Sequence, residues 1–116
     1  MNRVLVIDQD SVTTRTLGLA CLEHRIGVAF ADNVCDGVRV LLDTVVDLVL
    51  LDVAALRLTP REVVALFARV APGVPLVVAA RPQTPLETRV ALELAGFRVL
   101  TKPVSVDELI DKTPSV

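Results

Sequence analysis

Asp47-Leu48-Val49-Leu50-Leu51-Asp52 decides how the rest of the chain is read, because four apolar residues stand between two carboxylates. An apolar run of strand length with polar ends reads as a central strand of a parallel sheet, covered on both faces. In open α/β sheets, ligands bind beyond the C-terminal ends of the strands. Asp52 is therefore the first candidate functional residue. Asp8, Asp10 and Lys102 are judged by whether the fold can bring them to it.

Upstream, Val4-Leu5-Val6-Ile7 is an apolar strand that ends at Asp8. Asp10 or Ser11 then opens a helix whose inner face carries Leu17, Ala20, Cys21 and His24, the last read as a partly buried or capping histidine at the helix end. Gly27 ends that helix, and Val28-Ala29-Phe30-Ala31 is the second strand. Asn33, with Asp36 three residues on, opens a second helix that runs through Val38, Leu41 and Leu42. Downstream, Thr59-Pro60-Arg61-Glu62 has a cap, a proline at the first helical position and a reciprocal Glu. The third helix follows with Val63, Val64, Leu66, Phe67 and Val70, and Pro72-Gly73 stops it.

Pro75-Leu76-Val77-Val78-Ala79-Ala80 is the fourth strand, and Thr84-Pro85-Leu86-Glu87 repeats the cap-Pro-x-Glu pattern. The fourth helix closes at Gly96, where a left-handed C-cap belongs. Phe97-Arg98-Val99-Leu100 is the fifth strand, followed by Thr101-Lys102-Pro103. Ser105 and Glu108 cap a last helix that Lys112-Thr113-Pro114 cuts to about two turns. Strands alternating with helices through short loops predict a doubly wound five-stranded parallel sheet between two helical layers, a flavodoxin-like α/β sandwich. Its expected strand order is 2-1-3-4-5.

The chain of 116 residues and 12.5 kDa reads as one domain with a full core, since 53% of it is apolar. No apolar run reaches the length of a membrane span, and the N-terminus runs straight into a strand without a signal peptide, so a cytoplasmic location is expected. A net charge of -2 argues for neither nucleic acid nor an anionic membrane surface. Cys21 and Cys35 lack metal-ligand spacing and read as buried small hydrophobes in a reducing compartment. With no Trp or Tyr and three Phe, there is no stacking platform for single-stranded nucleic acid. The short last helix suggests the N-terminal part of a longer protein.

In the 2-1-3-4-5 order, Asp8 and Asp52 end neighbouring strands, and Lys102 ends strand five with an arm long enough to lean back toward them. Two carboxylates so close repel unless a cation intervenes. A lysine ammonium is one answer, and a hard divalent cation such as Mg²⁺ is another. A carboxylate beside both can attack phosphorus, because the cations stabilise charge on the transferring oxygens.

At these residues the chain resembles the receiver domains of two-component response regulators. The resemblance rests on Val6-Ile7-Asp8-Gln9-Asp10, Leu50-Leu51-Asp52 and Lys102-Pro103. It implies that Asp52 is the phosphoacceptor, Lys102 the phosphate-sensing lysine and Asp8 the first residue of the acidic pair. It further implies Mg²⁺ held by Asp8, Gln9, Asp52 and the backbone carbonyl of Ala54, with Asp10 a weaker candidate since an N-cap role explains it. Lys102-Pro103 is similar to the family's cis-proline turn. Implied partners are a sensor histidine kinase or phosphotransfer protein, an output domain or partner protein on the helix 4–strand 5–helix 5 face, and a second copy of the chain. Turnover catalysis is not implied.

The departures are specific. Gln9 replaces an acidic metal ligand and removes one negative charge, which should weaken Mg²⁺ binding. Ala80 stands where the family has a Thr or Ser hydroxyl, and Val99 where it has a switching aromatic. These predict an atypical receiver with weakened switching, and its alternative is a pseudo-receiver that binds partners without phosphorylation. Arg81 reads either as a counter-ion for Asp52 or as a solvated loop residue. A haloacid-dehalogenase-type phosphohydrolase would use Asp8-Gln9-Asp10, but the later strand supplies neither its hydroxyl nor its acidic pair.

Overall fold

The computed structural model describes residues 1–110. The helix stop read at Lys112-Thr113-Pro114 lies outside the described residues. In order, the elements are β1 (Arg3–Ile7), α1 (Ser11–Glu23), β2 (Gly27–Ala31), α2 (Val34–Asp43) and β3 (Leu48–Asp52). A 3-10 turn (Val53–Ala55) follows, then α3 (Pro60–Val70), β4 (Leu76–Ala80), α4 (Leu86–Ala95), β5 (Arg98–Thr101) and α5 (Val106–Ile110). The strands form one parallel sheet, as the alternation of apolar runs and helical patterns predicts, in the expected order β2-β1-β3-β4-β5.

Side chains alternate across a strand, so a sheet covered on both faces needs two separate cores. Leu5, Ile7, Val49, Leu51 and Val78 face one side, packed with Val34 of α2, Val63 and Phe67 of α3, and Leu92 of α4. Val4, Val6, Leu48, Leu50 and Val77 face the other, packed with Leu17 and Cys21 of α1 and Val106 and Leu109 of α5. α2 packs tightly on β1 at Gly37, where an added Cβ would run into Ile7 Cδ1. Glycine is there for want of space.

The caps form at Asn33, whose side chain accepts from the Asp36 amide, and at Thr59, where both bonds of the capping box are made. Gly96 closes α4 in the left-handed region at φ 111°. The second cap-Pro-x-Glu pattern behaves differently. Pro85 takes the N-cap position of α4, and no side chain caps it. The Thr84 amide is already bonded to the Arg81 carbonyl in a turn, so it cannot donate to Glu87 as Thr59 does to Glu62.

Three further expectations are corrected. His24 is the exposed C-cap of α1, with Nδ1 against the Ala20 carbonyl, which bears out its capping reading and takes it off the inner face. The buried stripe of α2 runs through Val34 and Gly37 and leaves Leu42 exposed. That phase also puts Cys35 on the outside, while Cys21 is buried as expected. Phe97 is buried just before β5 rather than within it.

Candidate functional site

Parallel pairing sets the level of each strand end. Ile7 lies opposite Leu51 and Asp52 opposite Ala79, so Asp8 emerges beside Asp52 at the C-terminal rim. The Asp8 amide donates to the Ala31 carbonyl, and the Lys102 amide to the Ala80 carbonyl, which anchors both residues to their neighbouring strands. Lys102 follows β5, two strands away from Asp52. Its arm must cross the end of β4, where Ala79 and Ala80 offer only methyl groups.

The side chains converge. Lys102 Nζ is 3.0 Å from Asp8 Oδ2 and 3.2 Å from Asp52 Oδ1. Asp8 and Asp52 are the only buried polar residues among those described, and the lysine side chain is 13% exposed. Buried charges persist where they are paired. Asp8 Oδ1 also accepts the Asp10 amide at 2.8 Å. Burial alone would lower the Lys102 pKa, but the hydrogen bond to Asp8 and the charges of Asp52 and Asp8 outweigh it, so the net shift is upward.

Asp10 does not join this group. Its carboxylate accepts the Thr13 hydroxyl at 2.6 Å and the Val12 amide at 3.1 Å, capping α1. These two bonds, the Thr13 one first, hold its carboxyl below the ordinary value. Gln9 is exposed on the rim, and Ala54 is exposed in the turn that follows Asp52. Among the described residues, no three His, Cys, Asp or Glu side chains gather to hold a metal.

No family model matches the chain. A CheY-like response regulator receiver domain from Methanospirillum hungatei superposes with a TM-score of 0.78 at 20% identity, covering 97% of this chain and 90% of that one. A Burkholderia pseudomallei response regulator, described with a phosphorylated aspartic acid, a calcium ion and citrate, gives 0.79 at 19% identity over 95% of this chain and 65% of that one.

This is the receiver fold.

The Escherichia coli K12 transcriptional regulatory protein GlrR is 29% identical over 106 residues, 91% of this chain and 24% of that protein. The chain thus spans about a quarter of that relative's length. Against the receiver pattern, Ala80 is fully buried and carries no hydroxyl, and Val99 is half-buried. The cis peptide expected at Lys102-Pro103 is present. Arg81 makes no ion pair with Asp52 among the described residues, so it is not a counter-ion there. Its backbone carbonyl instead accepts Arg89 Nη2 at 2.9 Å. Arg89 escaped the sequence reading because its two partners, a backbone carbonyl and the Thr101 hydroxyl, lie eight and twelve residues away with no motif between them.

Proposed function

We propose that this chain is the receiver domain of a two-component response regulator, the N-terminal part of a longer protein, with Asp52 as its phosphoacceptor. The observation that carries the proposal is the Lys102 ammonium bridging Asp8 and Asp52. The two buried carboxylates and the Lys102 ammonium, brought together across the strand order, meet at the rim where doubly wound sheets bind ligands.

In the proposed reaction a phosphohistidine of a sensor kinase or phosphotransfer protein is the donor. An Asp52 oxygen forms a bond to phosphorus as the P–N bond to the donor imidazole breaks, leaving an acyl phosphate and free imidazole. Lys102 then has phosphoryl oxygens to pair with in place of the Asp52 carboxylate, and this favours the product. Asp8, Asp52, the Gln9 amide oxygen and the Ala54 carbonyl are hard oxygen donors of the kind Mg²⁺ takes, though they include one carboxylate fewer than the receiver pattern. When bound there, the cation neutralises charge on the phosphoryl oxygens. Ala80 and Val99 leave the phosphoryl group without the hydroxyl and aromatic that would pass its presence to α4, so the switch is weak. The domain signals by binding and does not turn over a substrate.

The test is incubation with acetyl phosphate and Mg²⁺ followed by intact-mass measurement. A gain of about 80 Da, absent in Asp52→Asn, supports the acceptor role. An unchanged mass in the folded protein would instead make the chain a phosphorylation-independent interaction module.

A further inference from the structure

Arg89 lies in the second turn of α4 and reaches back toward the sheet with both arms of its guanidinium. One arm donates to the Arg81 carbonyl at 2.9 Å and the other to the Thr101 hydroxyl at 3.1 Å. These acceptors belong to adjacent strand ends, since Arg81 follows β4 and Thr101 is the last residue of β5. Both border the acidic pocket. Arg81 follows Ala80, whose carbonyl holds the Lys102 amide at 2.8 Å, and Thr101 precedes Lys102.

The Arg81 carbonyl accepts a second hydrogen bond, from the Thr84 amide at 3.0 Å, which closes the turn leading into α4. One planar group therefore ties the turn, the helix it feeds and the strand carrying the pocket lysine. A guanidinium can do this because its donors are fixed in a fork, whereas an ammonium offers a single point. The N-terminus of α4 lacks a side-chain cap, so this link stands where a cap would otherwise restrain the helix start.

We propose that Arg89 is a clamp that makes the β4–α4 turn, α4 and the end of β5 move as one body. In this chain Ala80 carries no hydroxyl, and the position of α4 is set by Arg89 from the helix side. The apolar residues exposed along α4, Leu86, Val90 and Leu94, are held with it. The inference stands whether or not Asp52 accepts a phosphoryl group.

Amide hydrogen exchange of the unmodified protein tests it, in wild type, Arg89→Met, Arg89→Lys and Thr101→Val. In Arg89→Met the Thr84 and Lys102 amides should exchange about threefold to tenfold faster, with those of α1 unchanged. Arg89→Lys should behave like Arg89→Met, because its charge remains and the fork is lost. Thr101→Val, which removes one exposed contact, should speed the Lys102 amide by about twofold, and it carries the test alone if Arg89→Met does not fold. Wild-type exchange in Arg89→Met, full protection in Arg89→Lys, or no change at Lys102 in Thr101→Val would overturn the clamp.

Discussion

Replacing Lys102 by Met removes the one cation that two buried carboxylates share while leaving an apolar stem of similar length. At the observed 3.0 and 3.2 Å, each contact is worth roughly 5 kcal/mol of gross attraction at an effective dielectric of about 20. Desolvating the three charged groups offsets most of that, at several kcal/mol per ion. Breaking a buried pair from one side nonetheless costs about 3–5 kcal/mol, because the partner is left uncompensated. The lysine keeps 13% of its exposure, so the expected loss is about 2–4 kcal/mol. Urea denaturation at pH 7 should show the midpoint falling by about 1–2 M. In an Asp52→Asn background only Asp8 is stranded, and the same substitution should cost about half as much. Because the folded-state pKa of Lys102 is raised, its contribution is complete below the ordinary value of 10.5 and disappears as pH climbs through the folded value. Wild type and Lys102→Met should therefore converge in strongly alkaline buffer. A midpoint within about 0.3 M of wild type at pH 7, or an equal cost in both backgrounds, would refute the shared-cation reasoning.

Gly37→Ala should lower stability by about 1 kcal/mol, since crowding of the fully buried Ile7 exceeds the gain in helix propensity. Shortening the neighbour in Ile7→Val/Gly37→Ala should make the pair less damaging than the sum of the singles in thermal unfolding. Thr59→Ala should cost about 1 kcal/mol through the lost capping box, while Thr84→Ala should be near neutral by the same measurement. The Asp47 carboxyl is held below 3.8 first by the Asn2 amide and then by that of Arg3. Its contribution is present above 3.8 and lost as pH falls through the lower folded value, so Asp47→Asn should flatten the acid limb of a stability-pH curve below about pH 4.

Burial on both faces leaves a mark that sequence shows directly, which is why the central strands were legible from their uninterrupted apolar residues; the order 2-1-3-4-5 is the common one for a doubly wound sheet of this size. The pocket was legible for a related reason. Asp52 ends its strand and Asp8 and Lys102 directly follow theirs, and in a parallel sheet position along the strand translates into height at the rim. What the sequence concealed were contacts whose partners are backbone groups or whose helix phase is set by packing. Thr59 and Thr84 open identical cap-Pro-x-Glu patterns, and they differ because a turn has claimed the Thr84 amide. Cys35 was misplaced by the phase of α2, which follows the close approach of Gly37 to β1. Arg81 drew notice for its charge, yet its carbonyl is what the structure uses.

The contact between Lys102 and Asp8 joins residues 94 apart in sequence, almost the length of the chain. During synthesis the two acidic strand ends emerge long before the group that neutralises them. A nascent or nicked polypeptide that stops short of position 102 therefore carries adjacent like charges at the top of its sheet with nothing to offset them. Completion of the last strand closes this long loop electrostatically, and a fragment lacking it should be a better substrate for quality-control proteases than its share of lost apolar surface alone would suggest.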